Sequence, residues 1–143
     1  MVAHRIARGT RLHVAGIQVR VDPGPSPLIQ ALWKRMNPHV CGKPSYGVCY
    51  DMKDGMYSYL VAIEVEEGSP LPDADWVTLT IPEADFAVFD HTGSIKTIGA
   101  TWAAIMQSTD INFDCTIPNI EKYPAGFTCD GGLTIWIAIK TMA

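Results

Sequence analysis

The stretch FAVFDHTGSIKTIGATWAAI, Phe86–Ile105, decides the fold. DFAVFDH, Asp85–His91, reads as a strand. Ser94 is a candidate N-cap for a helix over residues 92–107. Ile95, Ile98, Trp102, Ile105 and Met106 recur at helical spacing and are expected to face inward. Working outward, WVTLTI (76–81) is a strand before this unit, and TIPNIEKYP (116–124) and LTIWIAIK (133–140) are strands after it.

The same order occurs earlier in the chain. LHVAGIQVRV, Leu12–Val21, alternates with Ala15, Ile17, Val19 and Val21 on one side. After the turn-rich DPGPSP, Leu28, Ile29, Leu32, Trp33 and Met36 lie at helical spacing, and Asn37-Pro38 is expected to end that helix. SYGVCYDM and MYSYLVAIEVEE form a hairpin, with Tyr57, Tyr59, Val61, Ile63 and Val65 on one face. Strand–helix–strand–strand thus appears twice, over residues 5–67 and 76–141, joined by EGSPLPDAD. The reading is an α+β fold of antiparallel sheets with two main helices and pseudo-two-fold symmetry. Neither half buries its own apolar face, so 1–143 is expected to be a single domain with a ligand cleft at the junction. A chain of 143 residues suits one domain, burying roughly 70% of its unfolded surface.

Overlaying the halves places Tyr123 on Tyr50, Glu121 on Val48 and Trp136 on Leu60. An acid and a large aromatic stand where the first half has aliphatics, which points to one ligand site. Leu133, Ile135, Ile137 and Ile139 share a face suited to the helices, leaving Trp136 on the other. Asn119, Glu121 and Tyr123 share a face, and Glu121 is expected to meet Trp136 across the closing hairpin.

Charge narrows the partners. Eleven Lys+Arg against fifteen Asp+Glu, with no basic cluster, argue against phosphate-backbone binding and favour cations or neutral molecules. MVAHRIARG has no apolar core of a signal peptide, and no apolar run approaches membrane-spanning length, so the expected location is cytoplasmic, away from any membrane. Cys41, Cys49, Cys115 and Cys129 form no paired motif and read as reduced thiols. His39 and Cys41 are a weak start for a zinc site, and no metal or cofactor is expected. GKPSYG lacks phosphate-loop spacing, there is no GxSxG elbow, and Asp90-His91 with Ser94 is no triad on adjacency alone.

FAVFDHTGSIKTIGATWAAI, with VAGIQVR, YLVAIEV and IEKYP…LTIWIAIK in series, resembles the GyrI-like small-molecule-binding family. That family includes the effector-binding domains of AraC-type and MerR-type multidrug regulators. The resemblance spans nearly the whole chain. It implies that Glu121 lies at the base of a pocket for lipophilic, often cationic, ligands and that Trp136 lines it. Tyr46 and Trp33 are the candidate walls from the first half. Trp102 matches the family's Thr-Trp helix motif, with Tyr123 beside the acid. His91, in the Phe89-x-His91-x-Gly93 turn, is implied to stabilise that turn. MQSTDINFDCTIP, residues 106–118, departs from the family pattern in a loop that the resemblance implies shapes the pocket rim.

Three functions follow from the resemblance. The first is a stand-alone binding protein for lipophilic, often cationic, small molecules, with no DNA-binding segment expected. The second is a hydrolase of reactive cyclopropanoid-type electrophiles, with Glu121 as catalytic acid or base and Tyr123 as proton partner. The third is a gyrase-inhibitor-like interaction protein. A dimer or a regulatory protein partner is compatible with all three.

Overall fold

The computed structural model describes residues 4–23, 26–108, 111–128 and 130–140; Met1–Ala3, Cys129 and the centre of the DPGPSP loop lie outside them. Eight strands run in the order β1 Arg5–Gly9, β2 Leu12–Val21, β3 Ser45–Lys53, β4 Met56–Glu64, β5 Val77–Ile81, β6 Ala84–His91, β7 Asn119–Tyr123 and β8 Leu133–Ala138. Helix α1, Pro27–Val40, joins β2 to β3, and α2, Ile98–Met106, lies between β6 and β7.

The strands form one antiparallel sheet, ordered β1-β6-β8-β7-β3-β4-β2-β5. The order is symmetric about the β7–β3 pair, as the repeat demands. The three-stranded sheets expected of each half are therefore fused into a continuous one. The leading strands are exchanged: β1 precedes β2 but pairs with β6, and β5 precedes β6 but pairs with β2. Two residues, Thr10 and Arg11, join β1 to β2, although these strands lie near opposite ends of the order. The sheet must curl until its ends approach, giving a half-barrel.

Curling creates two faces. Val14, Val48, Leu60, Ile81, Phe86, Val88 and Ile120 fill the concave one. The convex face carries the helices. Ala15, Ile17, Tyr59 and Val61 pack beneath Leu32 and Met36 of α1. Ala87, Phe89, Ile135 and Ile137 pack beneath Ile105 of α2. The expected faces of β2, β4 and β8 are those observed.

Local chemistry sets the helix ends. Ser26 adopts extended geometry and its hydroxyl accepts the Leu28 N–H at 3.2 Å, with Pro27 following in the first turn. Pro38 does not end α1, contrary to expectation. It sits in the last turn, where the missing N–H forfeits a single bond, and the helix runs on to Val40 before Cys41 turns left-handed at φ 47°. Leu28 is exposed, so the inward stripe begins at Ile29. In the second half Ser94 caps a 3-10 turn, Ile95–Thr97, that leads into α2, and Met106 points to solvent rather than inward.

Met36 is 0% exposed beneath α1. Met36→Ala should cost about 2–5 kcal/mol, read as a lower denaturant midpoint with an unchanged slope.

Candidate functional site

The site lies on the convex face, between the two helices and over the β7–β3 pair. In NIEKY, period-two alternation sends Ile120 and Lys122 to the concave side and Glu121 and Tyr123 to the helix side. Opposite Glu121 on β3 stands Gly47. A Cβ there would fall 2.2 Å from the Tyr59 hydroxyl and 2.5 Å from Glu121 Oε1, so only glycine leaves room for both groups.

Glu121 is 5% exposed, a costly place for a carboxylate. Three neutral donors compensate it. Tyr59 donates to Oε1 at 2.5 Å and Tyr123 to the same oxygen at 2.8 Å, while Trp102 Nε1 donates to Oε2 at 2.7 Å. Trp33 Nε1 completes the ring by donating to the Tyr59 hydroxyl at 3.2 Å. Each helix thus supplies one tryptophan, three residues before its most deeply buried residue, Met36 or Ile105. The Trp33 and Tyr123 rings meet edge-on with centroids 4.6 Å apart.

Electrostatics follow from burial. Among the described residues no Lys or Arg pairs with Glu121. Burial raises its carboxyl above the ordinary value of 4.5, partly offset by the donors Tyr59, Trp102 and Tyr123 and by nearby His91. Burial, reinforced by the Glu121 charge, pushes the Tyr59 and Tyr123 phenols well above their usual range, so both remain neutral donors. Burial and Glu121 likewise raise the Cys49 thiol, which makes it a poor nucleophile. His91 Nε2 meets the Ser94 carbonyl at 2.9 Å and Nδ1 the Thr101 hydroxyl at 2.6 Å, tying the end of β6 to the start of α2.

Four of the six residues singled out from sequence come together here: Glu121, Tyr123, Trp102 and Trp33. Trp136 and Tyr46 do not. The register pairs Ile120 with Trp136 and Glu121 with Ile135, so the expected meeting of Glu121 with Trp136 is corrected: they occupy opposite faces. Tyr46 pairs with Lys122 and lies on the concave side as well. The overlay of the halves is likewise one residue out in β7. Glu121 shares its face with Gly47, whereas Val48 belongs to the concave core. Sequence reasoning misses Tyr59 and Gly47 as site residues. The one available signal is that strand alternation puts Tyr59 on the helix-facing side of β4.

His39 packs edge-on against Trp76 at 5.0 Å and Cys41 forms the exposed helix cap. Among the described residues there is no cluster of three metal-ligating side chains, and no helix is long and apolar enough to cross a membrane.

A curled sheet carrying two symmetry-related helices over a buried acid is a GyrI-like effector-binding fold. The chain belongs to the Cass2 family of integron-associated effector binding proteins, whose profile matches residues 9–139. It is 32% identical over 108 residues to the transcriptional regulator BrlR of Pseudomonas aeruginosa, covering 71% of this chain and 39% of the regulator. The chain therefore spans about two-fifths of that relative's length. Its fold is similar to that of the integron cassette protein VCH_CASS2 from the mobile metagenome of Vibrio cholerae, with TM-score 0.76, 18% identity and 96% and 95% of the two chains covered. SAV2435 bound to tetraphenylphosphonium gives TM-score 0.74 and 18% identity over 97% of this chain and 94% of that one.

Proposed function

We propose that this domain binds lipophilic organic cations between its helices, against Glu121. One observation carries the reading: a buried carboxylate with no basic partner among the described residues, enclosed by Trp33, Tyr59, Trp102 and Tyr123. A delocalised cation supplies the missing charge, and each aromatic face adds roughly 0.5–2 kcal/mol of cation–π attraction. Neither force demands a fixed shape, which favours breadth over selectivity. The solved complex of SAV2435 with tetraphenylphosphonium supports a lipophilic cation on this fold. Trp102, on α2, covers Glu121 Oε2, so α2 is the element expected to yield to an entering ligand.

Tetraphenylphosphonium titrated against the protein across acidic pH tests the reading. Burial raises the Glu121 pKa, so the site loses its charge at a higher pH than an exposed glutamate would. Affinity should hold above that raised pKa and fall about tenfold per pH unit below it. The stability of the ligand-free protein should move the other way. The native state holds this proton more tightly than the unfolded chain, so the contribution of Glu121 is greatest below the unfolded pKa and is lost as pH rises through the folded one. Affinity that stays flat through acid pH would overturn the reading.

The hydrolase reading uses the same carboxylate, since Oε2 takes one hydrogen bond and keeps a lone pair for water. Turnover of a strained electrophile that survives Glu121→Gln would rule it out.

A further inference from the structure

We propose that the concave side of the sheet carries a second binding site, for an organic anion with an apolar body, headed by the Lys122 ammonium with the Tyr46 and Thr134 hydroxyls. The inference does not rest on the cation reading: its polar head stands on the Lys122 side of β7, opposite Glu121, although the cleft reaches round the strand ends to Tyr123 and His91.

An open cleft of about 470 Å³ lies at the ends of β3, β6, β7 and β8. Tyr46, Lys122, Thr134 and Asp90 line it and stand directly opposite one another across four adjacent strands, so their side chains share one face. Lys122 Nζ lies 3.6 Å above the Trp136 ring. Among the described residues no carboxylate comes within ion-pairing distance of that ammonium. Glu64 acts on it only at longer range, while burial lowers its pKa, the mark of a cation without its counter-ion. Asp90, the acid in the row, is already held by Arg5 at 3.1 and 3.2 Å.

The hydroxyls have the matching polarity. Thr134 Oγ1 accepts the Trp136 Nε1–H at 2.9 Å, which leaves its own proton to donate. The Tyr46 hydroxyl has no hydrogen-bond partner among the described residues, and burial keeps it protonated. Three donors thus stand in one row across β3, β7 and β8 on the wall of the cleft. A carboxylate or sulfonate on an aromatic body meets the donors with its head and the apolar lining of the cleft, Pro44, Pro124 and Leu133, with its body.

Calorimetric titration with 2-naphthoate tests this. Wild type should bind saturably. Lys122→Gln should weaken binding about tenfold or more, and Tyr46→Phe, which removes one hydroxyl and keeps the ring, severalfold. Neutral 2-naphthylmethanol should bind about tenfold more weakly than the acid. Glu121→Gln and saturating tetraphenylphosphonium should leave naphthoate affinity unchanged. No binding at about 10 mM, equal binding of the neutral alcohol, or indifference to both Lys122→Gln and Tyr46→Phe would overturn the proposal. Displacement of naphthoate by tetraphenylphosphonium would also overturn it, by placing both ligands in one site. Failure of the cation itself to bind would leave the naphthoate result standing.

Discussion

Glu121→Gln should weaken tetraphenylphosphonium by about two orders of magnitude, while the affinity of neutral triphenylphosphine oxide changes little. At 4 Å and the effective dielectric of a partly buried pair, one charge–charge contact is worth about 4 kcal/mol, and part of this is recovered by the amide dipole, leaving about 3. The variant should still fold. The glutamine oxygen can take the Trp102 N–H and its amide can donate to the Tyr59 and Tyr123 oxygens, but the two phenol protons lose their shared acceptor, so the variant should be less stable by about 1–3 kcal/mol. Tryptophan fluorescence quenching reads the affinities, and thermal unfolding confirms the fold. Equal losses for cation and neutral ligand would remove the electrostatic argument.

Gly47→Ala should damage both the fold and the site. Its methyl group would stand 2.2 Å from the Tyr59 hydroxyl and 2.5 Å from Glu121 Oε1, and a buried phenol held by Trp33 has little freedom to retreat. Overpacking of this kind costs about 1–3 kcal/mol, with about 1 kcal/mol or more for a weakened Tyr59–Glu121 hydrogen bond. Cation affinity should fall at least about tenfold, because the same displacement misplaces the acid. Gly99→Ala is the control. That glycine lies in α2 with nothing within 4 Å of where the added methyl would stand, so the change should be neutral or stabilise by up to about 1 kcal/mol. Chemical denaturation of the three proteins distinguishes a steric clash at one site from a general intolerance of added bulk.

Where burial is one-sided, the sequence is a sound guide. Alternation in Leu12–Val21, Tyr57–Val65 and Leu133–Ile139 assigns the helix-facing residues, because a slip of one would expose a whole apolar row. β1 escapes such a reading because RIARG has no apolar row. It is a short edge strand whose arginines pair outward, Arg5 with Asp90 and Arg8 with Glu83 and Asp85. The acid and three aromatics of the site are legible, but their arrangement is not. Whether Glu121 faces Trp136 or Gly47 depends on strand register, Gly47 and Glu121 being 74 positions apart, and nothing local encodes it. Tyr59 is hidden for the same reason: its partner lies in the other half of the chain.

The exchanged leading strands and the central β3–β7 pair describe two half-molecules closed into a ring, in effect a dimer with its subunits tied together. In a true homodimer whatever stands at the axis stands there twice. A glutamate facing its own copy across one strand pair would set two carboxylates against each other in the driest part of the molecule. Tethering the halves removes that obligation. One side of the axis has become Glu121 and the other Gly47, so the layer between two tryptophan-bearing helices holds one carboxyl and the space that group needs.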